Sequence, residues 1–307
     1  MKRAVNCGLV KADNMRQAML LLSFGTPRQP SDLLPYLTSI RRGKIPTERE
    51  LKVLTARYDA IGQWDNKLLQ TMGEDQKKTL KSLLAIDAMY LAYLHMPNSM
   101  EQAVESIAAA GYTSILCIVT SPFYSMVGTG AYERKLHSIL RAYPDISCEI
   151  IKSWWNRPQF FEYWRSQLMA ANPLQADTAC IFSAHSVPTS TVGSYEDEVM
   201  SASNQIAKMV GLNHWYQAWQ SAAPYGEWLG PTIESVIEQA LIDGAKRIVC
   251  IPFGFVSDHV EILYDNDIIC RNIVENAGAT YERLPMPNGN TLFMEAMAKA
   301  IRERINK

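Results

Sequence analysis

Pro252-Phe-Gly-Phe-Val-Ser-Asp-His-Val-Glu-Ile-Leu-Tyr-Asp-Asn-Asp267 is the stretch from which the fold is read. It continues an apolar, β-type run, passes through Gly254 and two aromatics, and turns into a helix that opens with Asp258, His259 and Glu261. Strand, tight turn and polar helix start together deliver ligand-type side chains to the carboxyl end of a sheet, where open α/β folds hold their sites. A second stretch, Cys180-Ile-Phe-Ser-Ala-His185-Ser-Val-Pro188, repeats the layout with one histidine at the strand end. A histidine and a carboxylate brought from two strand ends can bind a divalent metal or move protons.

Composition sets the frame. With 307 residues the chain makes one large or two medium domains and has ample core. The formal net charge of -1 offers no basic field, so no nucleic-acid partner is expected. Hydrophobic content is 48%, as in a globular protein, and no apolar run is long enough for a transmembrane helix. The basic start, Met1-Lys-Arg-Ala-Val-Asn-Cys7, lacks the apolar region of a signal peptide. The six cysteines form no CxxC pair, and Cys117, Cys180 and Cys250 sit inside apolar runs. They read as buried thiols in a reducing cytosol, so a cytoplasmic location is expected.

Short β-rich runs alternate with amphipathic stretches. Strands are expected near 17–24, 88–95, 114–121, 147–153, 178–184, 215–220, 247–255 and 279–284. Helices are expected near 47–60, 73–84, 99–110, 130–142, 157–170, 195–210, 231–243, 259–275 and 291–305. This alternation predicts parallel sheet with crossover helices. A faint internal repeat accompanies it. Gly111-Tyr-Thr-Ser-Ile-Leu-Cys-Ile-Val119 echoes Gly244-Ala-Lys-Arg-Ile-Val-Cys-Ile-Pro252, and Leu22-Ser-Phe-Gly-Thr-Pro27 echoes Phe182-Ser-Ala-His-Ser-Val-Pro188. Two similar α/β halves facing across a cleft account for both echoes; chance likeness of strand ends is the alternative. The halves are expected at 1–150 and 151–288, with the last helix, 289–307, packing back on the first.

Several residues are candidates for chemistry, each with a plainer reading beside it. His185 at a strand end either serves a site or is a hydrogen-bonded structural histidine. Glu261 either serves the site or, with Asp258 as N-cap, is the third residue of a capping box. Asp265 lies four residues on, so it shares a helical face with Glu261; two such carboxylates repel unless a proton or cation intervenes. Ile269 ends that acidic row. Arg41-Arg-Gly-Lys44, in a loop before the helix begun by Thr47, and Arg57 one helix later can hold substrate carboxylates, or are solvated charges. Gly128-Thr-Gly130 precedes a helix and could take an anion on free N–H groups. Tyr124, Met126, Tyr132, Trp64, Trp219, Trp228 and Tyr264 are either cleft surface or ordinary packing.

These residues resemble one family, the ferrochelatases. The matching segments are Ser23-Phe-Gly-Thr-Pro27, Ile40-Arg-Arg-Gly43, Arg57-Tyr-Asp-Ala-Ile-Gly62, Ser183-Ala-His-Ser-Val-Pro188, Trp219-Gln-Ser221, Trp228-Leu-Gly-Pro231, Pro252 to Asp267, and Pro285-Met-Pro-Asn288. They run in the family's order from about residue 18 to the C-terminus. The likeness is to the Gram-positive type, which metallates coproporphyrin III. It implies two Rossmann-like domains, each a parallel sheet flanked by helices, with a porphyrin cleft between them. It also implies that His185 and Glu261 are the metal-binding, proton-abstracting pair and that Asp265 is the next acidic residue. Phe24, Arg41, Arg42, Arg57, Ser125 and Tyr132 are then expected around the porphyrin. Fe²⁺ is expected as a substrate, with no permanently bound cofactor, no iron–sulfur cluster and a monomeric chain.

Three departures accompany the resemblance. Phe24 stands where the Gram-positive group commonly has a tyrosine able to ligate iron. Ile269 replaces a carboxylate, and Gly62-Gln-Trp-Asp-Asn-Lys67 replaces a Gly-Gly-x-Ser-Pro-Leu-like run. They bear on the porphyrin, the metal route and turnover. Two other readings compete with iron insertion: a tetrapyrrole or haem carrier of the same fold, and a cobalt or nickel chelatase.

Overall fold

Continuous apolar runs explain the strands. In the computed structural model, which describes residues 16–64, 68–223 and 225–306, Ala18 to Leu22 of strand β1 (Gln17–Ser23) are all buried. Such strands are covered on both faces, as in parallel sheets with helices on each side. β1 pairs with β2 (Met89–Tyr93) and β3 (Ser114–Val119), and β3 with β4 (Ser147–Ile151). The second sheet holds β5 (Thr178–His185), β6 (Trp215–Gln220), β7 (Arg247–Ile251) and β8 (Thr280–Arg283). Every pairing is parallel.

The two sheets have the same strand permutation, β2-β1-β3-β4 and β6-β5-β7-β8. Both sequence echoes fall on equivalent strands: one on β3 and β7, the other on β1 and β5. The expected strands are all present. The run at 247–255 is shorter than expected, because Pro252 cannot donate to a ladder and Phe253-Gly-Phe turns away.

The helices are α1 (Leu33–Ile40), α2 (Glu48–Ala60), α3 (Leu68–Leu84), α4 (Ser99–Ala109), α5 (Thr129–Leu140), α6 (Pro158–Ala170), α7 (Tyr195–Val210), α8 (Ile233–Ile242), α9 (Arg271–Asn276) and α10 (Thr291–Ile305). A π-helix, Glu261–Cys270, runs directly into α9. Helix α1 was not expected. Its Pro35 lies in the first turn, where a missing N–H costs nothing. The expected helix at 259–275 exists, but its first ten residues have the wider π winding. Cys7, the basic start and Asp65 to Lys67 lie outside the described residues.

Each sheet has a core on one face, and a third cluster is common to both. Leu21 and Ile118 of the first share a buried cluster with Phe182, Phe253 and Ile251 of the second. Helix α10 packs against both α3 and α6. Its Phe293 meets Trp154 and Tyr163 edge to face, with centroids at 5.5 and 5.2 Å.

A single close approach aims the site. Past β7 the chain crosses the end of β5 at Gly254, whose N–H donates to the Ser183 carbonyl at 3.1 Å. A Cβ on Gly254 would lie 2.4 Å from Ala184 Cβ and 2.6 Å from its Cα. Only glycine lets the two strand ends approach this closely. Gly254→Ala is expected to destabilise the protein by about 1–3 kcal/mol, the usual cost of overpacking. Urea midpoints at unchanged slope would read it; an unaltered midpoint would contradict this packing.

Candidate active site

Strand order decides where chemistry can sit. β5 and β7 are neighbours, and β6 lies on the other side of β5, so the connections reverse between β5 and β7. Ligands of open α/β sheets bind at such a switch point, beyond the carboxyl ends of the strands. His185 is the last residue of β5. Tyr195 of α7 donates to its carbonyl at 2.9 Å. The imidazole Nδ1 faces the Ser186 carbonyl, so it carries the proton that is donated there. Nε2 is thereby turned to Glu261, with Oε1 at 3.5 Å.

Glu261 opens the π-helix. The capping-box reading does not hold, because the Asp258 N–H goes to Asn288 Oδ1 at 2.9 Å. The Glu261 N–H instead donates to His259 Nδ1 at 3.2 Å, and the carboxylate is left for His185. β6 braces this helix from the side. Gln220 donates from Nε2 to the Glu261 carbonyl, and its Oε1 accepts from Ser183 Oγ and Asn266 Nδ2. Ser221 adopts a left-handed φ of 60° and donates to Asp265 Oδ2 at 2.8 Å. The other Asp265 oxygen faces Arg57 Nη1 at 3.5 Å. The Arg57 guanidinium also lies over the Tyr264 ring at 5.0 Å. Arg57 belongs to α2 in the first half and Asp265 to the second, so this contact spans the cleft.

Burial and charge compete at these groups. Burial works against the His185 imidazolium, but the Glu261 carboxylate and the Ser186 carbonyl raise its pKa above the histidine norm. Burial pushes the Glu261 carboxyl up; the facing imidazole overrides it and holds the pKa well below normal. The pair is therefore ionic at neutral pH. Burial, with the Glu261 charge adding, carries Asp265 up to about 6 despite the Ser221 hydrogen bond and Arg57. His259 is held below its usual value by burial.

The first half contributes an aromatic wall. Phe24 follows β1 and is 45% exposed. Its ring meets His95 edge-on at 4.4 Å and Tyr36 at 6.2 Å. His95 Nδ1 pairs with Ser39 Oγ at 2.9 Å. Burial and then Lys135 depress its pKa to about 4, so this imidazole is neutral. Tyr36 and Tyr58 lie close enough to Glu261 for its charge to oppose their ionisation, which connects this wall to the pair.

The other expected residues are placed as follows. Arg41 pairs with Glu50, which also completes a capping box with Thr47 at the start of α2. Arg42 is exposed at a left-handed φ of 56°. Ser125 and Tyr132 are buried. Ser125 accepts the Gly128 N–H on Oγ and the Gly130 N–H on its carbonyl. The Gly128 and Gly130 N–H groups are therefore taken and are not free for the anion that 128–130 could have held. Trp219 is core, whereas the neighbouring Gln220 and Ser221 hold the π-helix. A cavity of about 490 Å³ lined by Leu34, Ser39, His95, Met96 and Lys135, among others, includes neither His185 nor Glu261. Among the described residues no group of three or more His, Cys, Asp or Glu side chains forms a metal-binding cluster. None of their helices is long and apolar enough to cross a membrane.

Residues 16–305 match the family model described as Ferrochelatase. The chain is 33% identical over 302 residues to the coproporphyrin III ferrochelatase of Geobacillus kaustophilus, covering 93% of this chain and 95% of the relative. It is 32% identical over 304 residues to that of Staphylococcus aureus, covering 94% and 98%. The chain belongs to the ferrochelatase family. The solved structure of SirB from Bacillus subtilis with Fe³⁺ superposes with a TM-score of 0.61 at 12% identity, covering 94% of this chain and 95% of that one. The fold is therefore shared with other chelatases.

Within this ferrochelatase fold, His95, Tyr36, Gln220, Ser221 and Asn288 were not singled out from side-chain type alone. Gln220, Ser221 and Asn288 did fall inside quoted family segments. His95 and Tyr36 carried no pattern that marks them, since each depends on what packs beside it.

Replacing Glu261 with Gln removes the charge that lifts His185 and leaves burial, the largest single influence, opposed only by the Ser186 carbonyl and Asp265. His185 is then expected to titrate well below its wild-type value, whereas in the wild type it stays protonated through neutral pH. Heteronuclear NMR of the imidazoles, with His185→Asn for assignment, reads the difference. An unshifted His185 would mean that the pair is not coupled.

Proposed function

We propose that this protein inserts Fe²⁺ into a porphyrin in haem biosynthesis, with coproporphyrin III preferred over protoporphyrin IX. The observation that carries this is the His185–Glu261 pair, at 3.5 Å across the ends of neighbouring strands, in a chain of the ferrochelatase family. The names of its relatives support coproporphyrin III.

The chemistry asked of the site is definite. Insertion exchanges two pyrrole N–H protons for one Fe²⁺. The unliganded pair holds one proton on the imidazole and one negative charge on the carboxylate. Arriving Fe²⁺ takes the place of the His185 Nε2 proton, which is released to solvent, because an imidazole nitrogen cannot hold both. Transfer of the metal to the macrocycle frees the ring to accept a pyrrole proton. Glu261, and beyond it Asp265, offer the next acceptors. Two donors bind a borderline metal loosely enough to release it. Fe²⁺ is thus a substrate; no resident cofactor and no iron–sulfur cluster enter this reading.

Phe24, Arg41, Arg42, Arg57, Ser125 and Tyr132 are assigned to the porphyrin. Phe24 offers an exposed ring, Arg42 an exposed cation, and Arg57 a cation at the cleft. Arg41 would have to exchange Glu50 for a substrate carboxylate. The halves 1–150 and 151–288 form the two jaws, and the protein acts as a cytoplasmic monomer without nucleic acid.

Anaerobic Fe²⁺ insertion with the two porphyrins side by side tests the proposal. Faster metallation of coproporphyrin III is expected. Porphyrin affinity without insertion would make the protein a carrier instead. His185→Ala should lower the rate by 10²–10⁴-fold, roughly the worth of one positioned proton acceptor, with porphyrin binding retained. A variant keeping more than about a tenth of the rate would remove His185 from the mechanism.

Phe24 has no oxygen to give iron. The ferric product should therefore lack a tyrosinate ligand, and Phe24→Tyr should add a phenolate-to-iron charge-transfer band and tighten product binding. A band already present in the wild type would name another tyrosine. No change in either spectrum or affinity would mean that residue 24 does not face the metal.

A further inference from the structure

The segment Pro285-Met-Pro-Asn288 has no part in the chemistry above, yet it touches the site's support at every end. Asn288 takes a left-handed φ of 52° and makes a two-way clasp on Asp258. Its Nδ2 donates to Asp258 Oδ2 at 2.8 Å, and its Oδ1 accepts the Asp258 N–H at 2.9 Å. Its own N–H donates to the Val256 carbonyl at 2.9 Å. The turn between β7 and the π-helix is thus held at Val256 and Asp258, and Glu261 follows three residues later.

The clasp extends in two directions. Arg283, at the end of β8, faces Asp258 Oδ1 at 3.2 Å and forks onto both Asp267 oxygens at 2.7 and 2.8 Å. One guanidinium therefore joins the turn before the π-helix to its seventh residue. In the other direction, Gln76 of α3, which is 1% exposed, donates to the Asn288 carbonyl at 3.1 Å. Thr79 of the same helix donates to the Gly289 carbonyl. The helix carrying Glu261 is tied through Asn288 to a helix of the opposite half.

We propose that Asn288 is a positioning residue for metal insertion. It fixes where Glu261 sits relative to His185 and to the wall of the other half, and it does so without touching either substrate. The inference rests on the role proposed for Glu261. The physical ground is that a π-helix is rare and does not hold itself, so its geometry comes from its anchors. A displacement of about 1 Å at a reacting group can cost on the order of 10²-fold.

The test uses the whole chain, four variants and one control. Asn288→Gly keeps the left-handed backbone and deletes the clasp. Asn288→Asp sets a carboxylate against Asp258. Asp258→Asn combined with Asn288→Asp restores a donor and an acceptor with their places exchanged. Both single variants should lose roughly 10- to 100-fold in kcat for Fe²⁺ insertion. Their porphyrin KM and porphyrin affinity, read by fluorescence quenching, should stay within about threefold, and the double exchange should regain most of the loss. Gln76→Met removes only the link to the first half and should lower kcat by a few-fold with an unchanged thermal midpoint.

Glu261→Gln is the control that separates the two claims. If it inserts iron normally, the role of Glu261 fails. If it is inactive while Asn288→Gly works at the wild-type rate, the positioning role fails. Equal losses in kcat and porphyrin binding that follow the fraction unfolded, with Gln76→Met fully active, would make Asn288 a purely structural residue and overturn the proposal.

Discussion

A carboxylate and an imidazole can both stay charged inside this fold because each offsets the desolvation of the other. Burial opposes both charges. Facing each other at 3.5 Å, Glu261 is kept ionised and His185 protonated. Much of the surrounding structure makes that contact possible. β5 and β7 must be neighbours, Gly254 must let the chain cross β5, and the Ser186 carbonyl must take Nδ1 so that Nε2 points across. The arrangement leaves one exchangeable proton at a place where a cation can replace it.

The π-helix solves a second constraint. Asp265, Asn266 and Asp267 are consecutive polar residues, and the first two are almost completely buried. Each needs a partner of its own, since buried polar groups without one are costly. Asp265 takes Ser221 and Arg57, Asn266 takes Gln220, and Asp267 takes Arg283. The partners come from the end of β6, from β8 and from the opposite half. A helix gripped on several sides does not need ideal internal hydrogen bonding to keep its shape, which is how an uncommon winding persists beside the site.

These particulars explain what could be read from the chain alone. The strands were legible because both of their faces are buried, so their apolar runs are nearly continuous. His185 and Glu261 were legible as polar residues just past such runs. Helix α1 was not read from the chain, since it is only eight residues long and buries just Leu33 and Tyr36, too little for a helical period to show. The π winding was missed because spacing of apolar residues does not distinguish it from an α-helix. The capping-box reading of Glu261 was locally sound, and it lost to Asn288, thirty residues downstream. Gln76 and Asn288 are separated by 212 positions. Contacts of that kind follow from how the halves close on each other, and no local pattern records them.

The duplicated topology makes the difference between the halves informative. The chain leaves β1 through Phe24 and ends β5 at His185, in sheets of identical strand order. One half presents an ion pair. The other presents Phe24 with the neutral His95 and the buried Tyr36 behind it. In the proposed function, a flat macrocycle between such walls would meet proton acceptors on one face and apolar surface on the other. Donors on both faces would hold the metal after insertion as firmly as before it. With donors on one face only, the metal's affinity for the protein falls once four pyrrole nitrogens have taken it. In the proposed function the apolar wall would grip the ring without competing for iron, so the asymmetry between two equally built halves would ease release of the metal to the macrocycle.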